Sequence, residues 1–260
     1  MKIIAINGSH RGSRGLTSHL ISLIFQGAQQ SGATCEEIVL SKLKINRCLG
    51  CSQCHRDASL LQCVYDSKDD VRMVFDKMAT ADLIIYATPV YVFGMTGLMK
   101  TFLDRINATG DSREFRCTQS GLFFHHITPE ICSKPFVSLV CCDNIENDTT
   151  ANAVHYFRTY ARFMDAPLVG QLVRNGGKFI KHGLDAAANH QNPKIEKIYA
   201  AFIQAGFELA TKEKISRSTQ RSTNQEVLPV PFLSLLKRIK SRRVKQVFVE
   251  KAKEFSIAKH

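Results

Sequence analysis

Short apolar runs alternate with helical patterns along the first 210 residues of this chain. The first run, residues 2–6, is rich in β-branched side chains and has the length of a strand buried in a parallel sheet. After a loop of Gly, Ser and Arg, apolar residues recur at helical spacing at Leu16, Leu20 and Ile24. The chain therefore begins with a strand, a loop of small residues and a helix.

The same alternation continues up to residue 210. Further strands are predicted at residues 36–40, 83–87, 136–142 and 167–173. Helices are predicted at residues 71–78, 99–106, 151–164 and 193–210. Asp69 and Asp70 are placed to cap the first of these helices. Five strands that alternate with helices predict a parallel sheet covered on both faces, with ligands at the carboxyl ends of the strands.

Two connecting segments fall outside this alternation. Residues 88–94 are predicted to form a loop after the third strand. Residues 108–134 are long for a connection between a helix and a strand, and they contain Phe123, Phe124, His125 and His126. We expect this longer segment to form either a small satellite hydrophobic cluster or a lid over a ligand.

The last fifty residues differ from the rest of the chain. Residues 211–230 are polar and lack periodicity, so they are predicted to form a linker, and residues 232–255 have the pattern of a basic amphipathic helix. This region has thirteen Lys or Arg against four Glu, a balance of +9 within a chain of net charge +12. We therefore divide the chain into residues 1–210 and a basic tail, 211–260. The tail is expected to dock on the protein or its oligomer, or to touch an anionic surface, and no specific nucleic acid is predicted.

Composition limits the class of protein. With 260 residues, of which 44% are hydrophobic and 22% charged, the chain has the make-up of one globular domain with an appendage. It contains no run of eighteen apolar residues and no pattern of a secretory signal, so a cytoplasmic location is expected. Nine cysteines in that setting indicate metal or redox chemistry more than disulfides.

The loop after the first strand has the features of a phosphate site. Backbone N–H groups of such a loop and the N-terminus of the following helix attract an anion. The loop lacks both the GK[ST] triplet of triphosphate sites and the G-x-G-x-x-G fingerprint of dinucleotide sites. Its hydroxyl and guanidinium groups suit a single terminal phosphate, and they come from Ser9, Arg11, Ser13, Arg14 and Thr17. A mononucleotide site is the leading interpretation, and an ordinary solvated turn is the alternative.

Four cysteines form the second chemical motif. Cys48, Cys51 and Cys54 have the spacing C-x2-C-x2-C, and Cys63 follows after eight residues. Three closely spaced thiolates with a fourth nearby suit a [4Fe–4S] cluster. Structural zinc more often uses two separated pairs of ligands. An iron–sulfur cluster, a zinc ion and metal-free thiols all remain open from the spacing.

Three passages together resemble the flavodoxin-like NAD(P)H-dependent FMN reductases, and more closely their iron–sulfur flavoprotein branch. They are INGSHRGSRGLTSHL, the cysteine motif and ADLIIYATPVYVFGMTGLMKTFLDR. The last is the most specific, because a strand ending in TPVY followed by a turn of small residues and MKxFxDR is a recurrent signature of that family. The resemblance covers about residues 2–209 and implies a flavodoxin-like, doubly wound five-stranded parallel sheet, here with a C-terminal basic helical extension.

The resemblance also implies site residues. The phosphate of FMN would be bound at Ser9, Arg11, Ser13 and Thr17. The isoalloxazine ring and ribityl chain would lie against a second loop that contributes Pro89, Val90, Tyr91, Phe93, Gly94 and Thr96. A third loop, residues 142–144, would contribute Asp143. The cysteine motif would ligate the [4Fe–4S] cluster through Cys48, Cys51, Cys54 and Cys63. The chain departs from the family at His10, where Pro is frequent, and in the later position of Cys63.

The implied activity is that of an FMN-dependent oxidoreductase. Electrons would pass between a reduced donor, either NAD(P)H or a ferredoxin-like carrier, and a small acceptor such as a quinone, a flavin or an oxygen species. A homo-oligomer, dimer or tetramer, would bring the cysteine motif near a neighbour's flavin. The cofactors supply the chemistry, so no general base is expected, and Asp104 and Arg105 are predicted to form structural ion pairs.

Two alternatives to that activity remain. One is a cluster-free NAD(P)H-dependent FMN or quinone reductase in which the cysteines are structural. The other is a non-catalytic redox-sensing or anchoring module whose basic tail binds a membrane or nucleic acid. For Cys141 and Cys142, a buried strand end is favoured over a redox pair, because a free cysteine is usually a small core residue.

Overall fold

The computed structural model describes residues 1–180, 193–228 and 230–257. Its strands are β1 (Lys2–Asn7), β2 (Thr34–Val39), β3 (Leu83–Tyr91), β4 (Gly94–Met95), β5 (Gly110–Cys117), β6 (Phe123–Ile127), β7 (Phe136–Cys141) and β8 (Leu168–Arg174). Its helices are α1 (Leu16–Gln30), α2 (Val71–Ala79), α3 (Gly97–Asp104), α4 (Pro129–Cys132), α5 (Ala151–Phe163), α6 (Pro193–Lys212), α7 (Arg217–Thr223), α8 (Leu233–Leu236) and α9 (Arg242–Ile257).

The main sheet has the strand order β2-β1-β3-β7-β8, and all five strands are parallel. This confirms the predicted flavodoxin-like doubly wound sheet, to which the short antiparallel strand β4 is added beside β3. Strand β2 lies on one side of β1, and β3, the next strand in the chain, lies on the other side of β1. In such sheets a ligand crevice forms at the carboxyl ends of the strands where the order reverses, which here is between β1 and β3.

Two apolar layers cover the sheet, and β1 contributes to both. Ile3 and Ala5 pack with α1 and α6, whereas Ile4 and Ile6 pack with α2, α3 and α5. Successive side chains of a strand point to opposite faces, so a strand covered on both faces must be apolar at every position. This requirement explains why β1, β3 and β7 are continuous apolar runs in the sequence.

Helices α1 and α6 touch through their backbones at two glycines. A Cβ added to Gly27 would lie 1.8 Å from the carbonyl oxygen of Ile203, and one added to Gly206 would lie 1.8 Å from that of Ile24. Neither position has room for a side chain. The pair therefore sets how closely α6 approaches α1.

The two predicted connecting segments, residues 88–94 and 108–134, contain regular secondary structure. Residues 88–94 were predicted to be a loop, but β3 continues to Tyr91 and turns through Val92 and Phe93 into β4. Residues 110–127 form an antiparallel hairpin of β5 and β6. Phe124 of this hairpin packs against the core, while Phe123 is 75% exposed and stacks on Phe115. The hairpin lies beside the cysteine motif, since Arg113 pairs with Asp57.

The tail also differs from its predicted elements. Helix α7 lies within residues 211–230, which show no apolar periodicity, because polar contacts hold it to β8. Gln220 Oε1 accepts a hydrogen bond from the backbone N–H of Gln171, and the carbonyl of Thr223 accepts one from Arg174 Nη1. The helix predicted at residues 232–255 is divided into α8 and α9. The carbonyl of Lys237 is bonded by the side chain of Lys245 instead of by a helical N–H, which ends α8 there.

Within the described residues, no helix combines the length and the apolar character needed to cross a lipid bilayer.

Replacement of Gly206 by Ala should destabilise the protein by about 3 kcal/mol, the upper end of the usual cost of overpacking, because the new methyl group meets backbone that cannot move aside. Urea denaturation would measure the free energy of unfolding. Gly97→Ala is the matched control, since a Cβ there has no neighbour within 4 Å. Equal stability of the two variants would contradict the backbone contact between α1 and α6 at Gly206.

Candidate functional site

A cleft lies at the carboxyl ends of β1, β3 and β7, where three loops meet. The first loop follows β1, the second is the turn between β3 and α3, and the third follows β7. Seven of the predicted FMN-binding residues line this cleft, namely Ser9, Arg11, Thr17, Pro89, Val90, Tyr91 and Asp143. The predicted residues Ser13, Phe93, Gly94 and Thr96 are not among those that line it.

The first loop is folded by Asn7, the last residue of β1. The Oδ1 atom of Asn7 accepts a hydrogen bond of 2.8 Å from the backbone N–H of Ser9, and its Nδ2 donates one of 2.7 Å to Glu37 Oε1. Ser9 is only 3% exposed, and its Oγ accepts a hydrogen bond of 3.3 Å from the N–H of Arg11. The buried amide of Asn7 thus turns the chain and directs the Ser9 hydroxyl toward the beginning of α1.

The N-terminus of α1 is open to an anion. Its N-cap residue is Gly15, which has no side chain to cap the first N–H groups, and the first turn contains no acidic residue. A Cβ on Gly15 would lie 3.0 Å from Ser9 Oγ, so the glycine leaves the space between the hydroxyl and the helix free. Thr17 is buried in this first turn. Uncapped N–H groups, two buried hydroxyls and the helix dipole together can hold a phosphate group. Ser13 points to solvent instead.

Thr96 joins the first two loops. Its Oγ1 donates a hydrogen bond of 2.7 Å to the carbonyl of Gly8 and accepts one of 3.1 Å from the N–H of Met99, which caps α3. A Cβ on Gly8 would lie 2.7 Å from that of Met99, so only glycine allows α3 this close to the first loop. Thr96 therefore positions the cleft without lining it.

The second loop ends in a strained aromatic turn. Val92 and Phe93 both have positive φ, 47° and 64°, as a two-residue hairpin turn of type I′ requires. A positive φ is unusual for a β-branched residue, and such strain is concentrated at functional sites. Asn152 Nδ2 holds the turn by donating a hydrogen bond of 3.1 Å to the carbonyl of Phe93. Gly94 pairs with Tyr91 at the base of the turn.

The ring of Tyr91 stacks on the ring of His10 from the first loop. Their centroids are 5.9 Å apart and the ring planes differ by 14°. In the sequence, His10 stands out only as a departure from the family pattern, and no motif predicts this contact. The third loop contributes Asp143, whose carboxyl group is exposed, and the buried Cys141 and Cys142. Burial raises the pKa of Cys141 to about 12, so this thiol is protonated near neutral pH, in keeping with a strand end.

A separate pocket, the cysteine pocket, is lined by all four cysteines of the motif, Cys48, Cys51, Cys54 and Cys63. Cys54 is buried and Cys51 is exposed. Burial raises the pKa of Cys54, and the nearby Cys48, Cys51 and Cys63 raise it further. The fold thus brings the other three cysteines close to Cys54. Gly50, Ser52 and Leu61, each with positive φ, make the turns between them.

The geometry of this pocket bears on which metal group suits it. In the described part of the chain, no three His, Cys, Asp or Glu side chains are close enough together to share one metal ion. Tetrahedral zinc needs every sulfur about 2.3 Å from a single centre. A [4Fe–4S] group binds each cysteine through a different iron, so its ligands stand farther apart. Four cysteines that line one pocket are the donor set that either group uses.

Arg105 lies at the base of the cysteine pocket. Its Nη1 donates hydrogen bonds to Asp69 Oδ2 at 2.5 Å and to the carbonyl of Asn46 at 3.0 Å, so it holds both ends of the cysteine segment. Burial lowers the pKa of Arg105, but Asp69 and the nearby charges of Cys63 and Asp66 outweigh this, and the pKa is raised. Arg105 thus forms an ion pair with Asp69, and Asp104 forms one with Lys100, so both residues have structural partners.

We expect Thr96→Val to destabilise the protein by about 1–3 kcal/mol, because it leaves the buried carbonyl of Gly8 and N–H of Met99 without their partner. Thr96→Ser keeps the hydroxyl and should cost much less. The free energy of unfolding of both variants, measured in urea, checks this. A valine variant as stable as the wild type would show that the hydroxyl bonds to Gly8 and Met99 do not contribute to stability.

Comparison with known proteins supports the resemblance seen in the sequence. Residues 1–123 match the family model of the NADPH-dependent FMN reductases. An iron-sulfur flavoprotein of Archaeoglobus fulgidus is 36% identical over 106 residues, which are 40% of this chain and 48% of the relative. The iron-sulfur flavoprotein MJ0731 of Methanocaldococcus jannaschii is 34% identical over 108 residues, 42% of this chain and 52% of the relative. The chain spans about half the length of these curated relatives.

Solved structures share the fold. An FMN-dependent NADH-azoreductase of Bacillus anthracis in complex with FMN has a TM-score of 0.56 at 13% identity, over 81% of this chain and 100% of its own. The azoreductase AzrA has a TM-score of 0.55 at 16% identity, over 82% and 100%. At these identities the likeness concerns the fold alone. The family model of the NADPH-dependent FMN reductases thus matches the part of the chain that contains the first loop, the cysteine motif and the second loop.

Proposed function

We propose that this protein is an FMN-dependent oxidoreductase that also binds a [4Fe–4S] cluster. The observation that carries the proposal is the convergence of three loops on one cleft, where the buried hydroxyls of Ser9 and Thr17 face the uncapped N-terminus of α1. This is the arrangement that a terminal phosphate requires. The family match of residues 1–123 supports FMN as the nucleotide.

Each part of the cleft has a role in this proposal. Ser9, Thr17 and the first-turn N–H groups of α1 would bind the phosphate, with the Arg11 guanidinium at the outer side. Pro89, Val90 and Tyr91 would form the apolar wall against the flavin ring, and Asp143 would border it from the third loop. Phe93, Gly94 and Thr96 shape the second loop, and Ser13 is left at the solvent side. When bound, FMN supplies hydride acceptance and the release of single electrons.

The cysteine pocket would add a one-electron centre. Cys48, Cys51, Cys54 and Cys63 are the proposed ligands, because all four line the same pocket. The curated relatives are named iron-sulfur flavoproteins, which supports this part of the proposal. A one-electron centre beside a flavin suits a ferredoxin-like carrier as a partner, with NAD(P)H as the other possible donor. The acceptor would be small, a quinone, a flavin or an oxygen species.

A homo-oligomer, dimer or tetramer, is also part of the proposal. Exposed aromatic side chains stand on two hairpins, Phe93 at the tip of the second loop and Phe115 with Phe123 on β5 and β6. Exposed apolar groups of this kind are typical of interaction surfaces. A second copy seated there would bring another cleft near the cysteine pocket.

The first test is an absorption spectrum of protein purified without oxygen, combined with iron and sulfide assays. We expect flavin bands, a broad iron–sulfur shoulder and about four irons per chain. Cys51→Ser should remove the iron and leave FMN bound. The control Cys117→Ser alters an exposed cysteine outside the pocket and should keep both.

The phosphate site is tested in parallel. Ser9→Ala should weaken FMN binding about tenfold, the loss of one hydrogen bond to a charged group of about 1.4 kcal/mol, and should leave the iron content unchanged. Ser13→Ala, at an exposed position outside the cleft, should change FMN affinity less. Flavin without iron in the wild type would leave a cluster-free FMN or quinone reductase, and protein without flavin would refute the whole proposal.

A further inference from the structure

Arg105 is a buried cation with only part of its hydrogen-bonding capacity used. The residue is 1% exposed, and within the described residues its Nε and Nη2 atoms have no hydrogen-bond partner. A buried donor that is left unpaired costs about 1–3 kcal/mol, and more on a charged group. Unpaired buried donors in a native protein therefore indicate an acceptor that is not part of the chain.

The remaining contacts of Arg105 fix its guanidinium plane. Nη1 is held by Asp69 and by the carbonyl of Asn46. The ring of Tyr65 lies under the guanidinium, with its centroid 5.4 Å from Cζ. Asp66 Oδ1 is 3.8 Å from Nη2, which is an ion-pair distance but too long for a hydrogen bond. These contacts fix the orientation of the guanidinium group, so its unpaired N–H groups point in a defined direction.

Arg105 and Tyr65 line the same pocket as the four cysteines. Asp66 connects Arg105 to Cys63, one of the proposed cluster ligands. Its other oxygen, Oδ2, accepts a hydrogen bond of 2.9 Å from the backbone N–H of Cys63. The pocket that Arg105 lines offers sulfur acceptors from its four cysteines, beside the oxygen atoms of Ser52, Gln53 and Asn107.

We propose that Arg105 is a positioning residue of the iron–sulfur site, and that its Nε–H and Nη2–H groups donate hydrogen bonds to sulfur atoms of the bound cluster. This inference rests on the proposed cluster. Hydrogen bonds to cluster sulfurs, together with a buried positive charge, stabilise the reduced and more negative form. Arg105 therefore raises the reduction potential of the cluster and helps to retain its iron.

A purely structural role of Arg105 makes a different prediction. Its pair with Asp69 connects the two ends of the cysteine segment whether or not sulfur is contacted. Arg105→Lys separates the two roles, because lysine keeps the charge and one bond to Asp69 but lacks the planar fork that reaches sulfur at the same time.

The experiment compares wild type and Arg105→Lys, both purified without oxygen and both with measured FMN and iron content. A redox titration followed by electron paramagnetic resonance gives the reduction potential of the cluster, and competition with an iron chelator gives iron retention. We expect the variant to bind FMN normally, to have a more negative cluster potential and to retain iron about 10- to 100-fold less strongly.

Arg174→Lys is the matched control. Arg174 is also 1% exposed, but its Nε and Nη1 donate to the carbonyls of Asn175 and Thr223, and it does not line the cysteine pocket. This variant should lose thermal stability and keep the cluster potential. If Arg105→Lys does not fold, Tyr65→Leu removes the ring under the guanidinium and should shift the potential in the same direction by a smaller amount.

The possible results separate the inference from the function on which it rests. A wild type with FMN and no iron would refute the cluster and this inference with it. A wild type with about four irons, together with an unchanged potential and unchanged iron retention in Arg105→Lys and Tyr65→Leu, would refute the inference alone. The unpaired donors would then be bonded to water, and Arg105 would be an anchor of the loop.

Discussion

The hydroxyl of Thr96 is the interaction on which both sites depend. It holds the first loop through the carbonyl of Gly8 and starts α3 through the N–H of Met99. Helix α3 then has eight residues, about 12 Å at 1.5 Å per residue, and the next residue in the chain is Arg105. The beginning of one short helix is thus bound to the cleft, and its end is bound to the cysteine pocket. One short helix thus connects the two sites.

The sheet and the position of the cleft could be predicted from the sequence because they follow from local patterns. The strands β1, β3 and β7 are buried on both faces along most of their length, so apolar residues dominate them. The residues that follow them must lie at one edge of a parallel sheet, whatever the remaining packing. Ser9, Tyr91 and Asp143, which are far apart in the sequence, accordingly line one cleft.

Contacts between distant polar groups could not be predicted in this way. The stacking of His10 on Tyr91 and the bond from Thr96 to Gly8 depend on the final separation of two loops, which no periodicity records. Helix α7 was missed because its hydroxylated side chains carry no apolar face. The tight turn in the second loop could not be predicted, because it needs positive φ at Val92 and Phe93, and neither type of residue prefers that conformation. The partly unsatisfied state of Arg105 is visible only once every neighbour is placed.

The length of α3 also determines how the protein can change over evolutionary time. Each residue of a helix turns the chain by about 100°, so adding or removing one residue in α3 would rotate Arg105 relative to Thr96 by that angle and shift it by about 1.5 Å. Substitutions can alter the cleft or the cysteine pocket separately. An insertion or deletion in this helix would instead change the orientation of Arg105 relative to Thr96. The spacing between Thr96 and Arg105 should consequently tolerate no change in length, even where the residues between them vary.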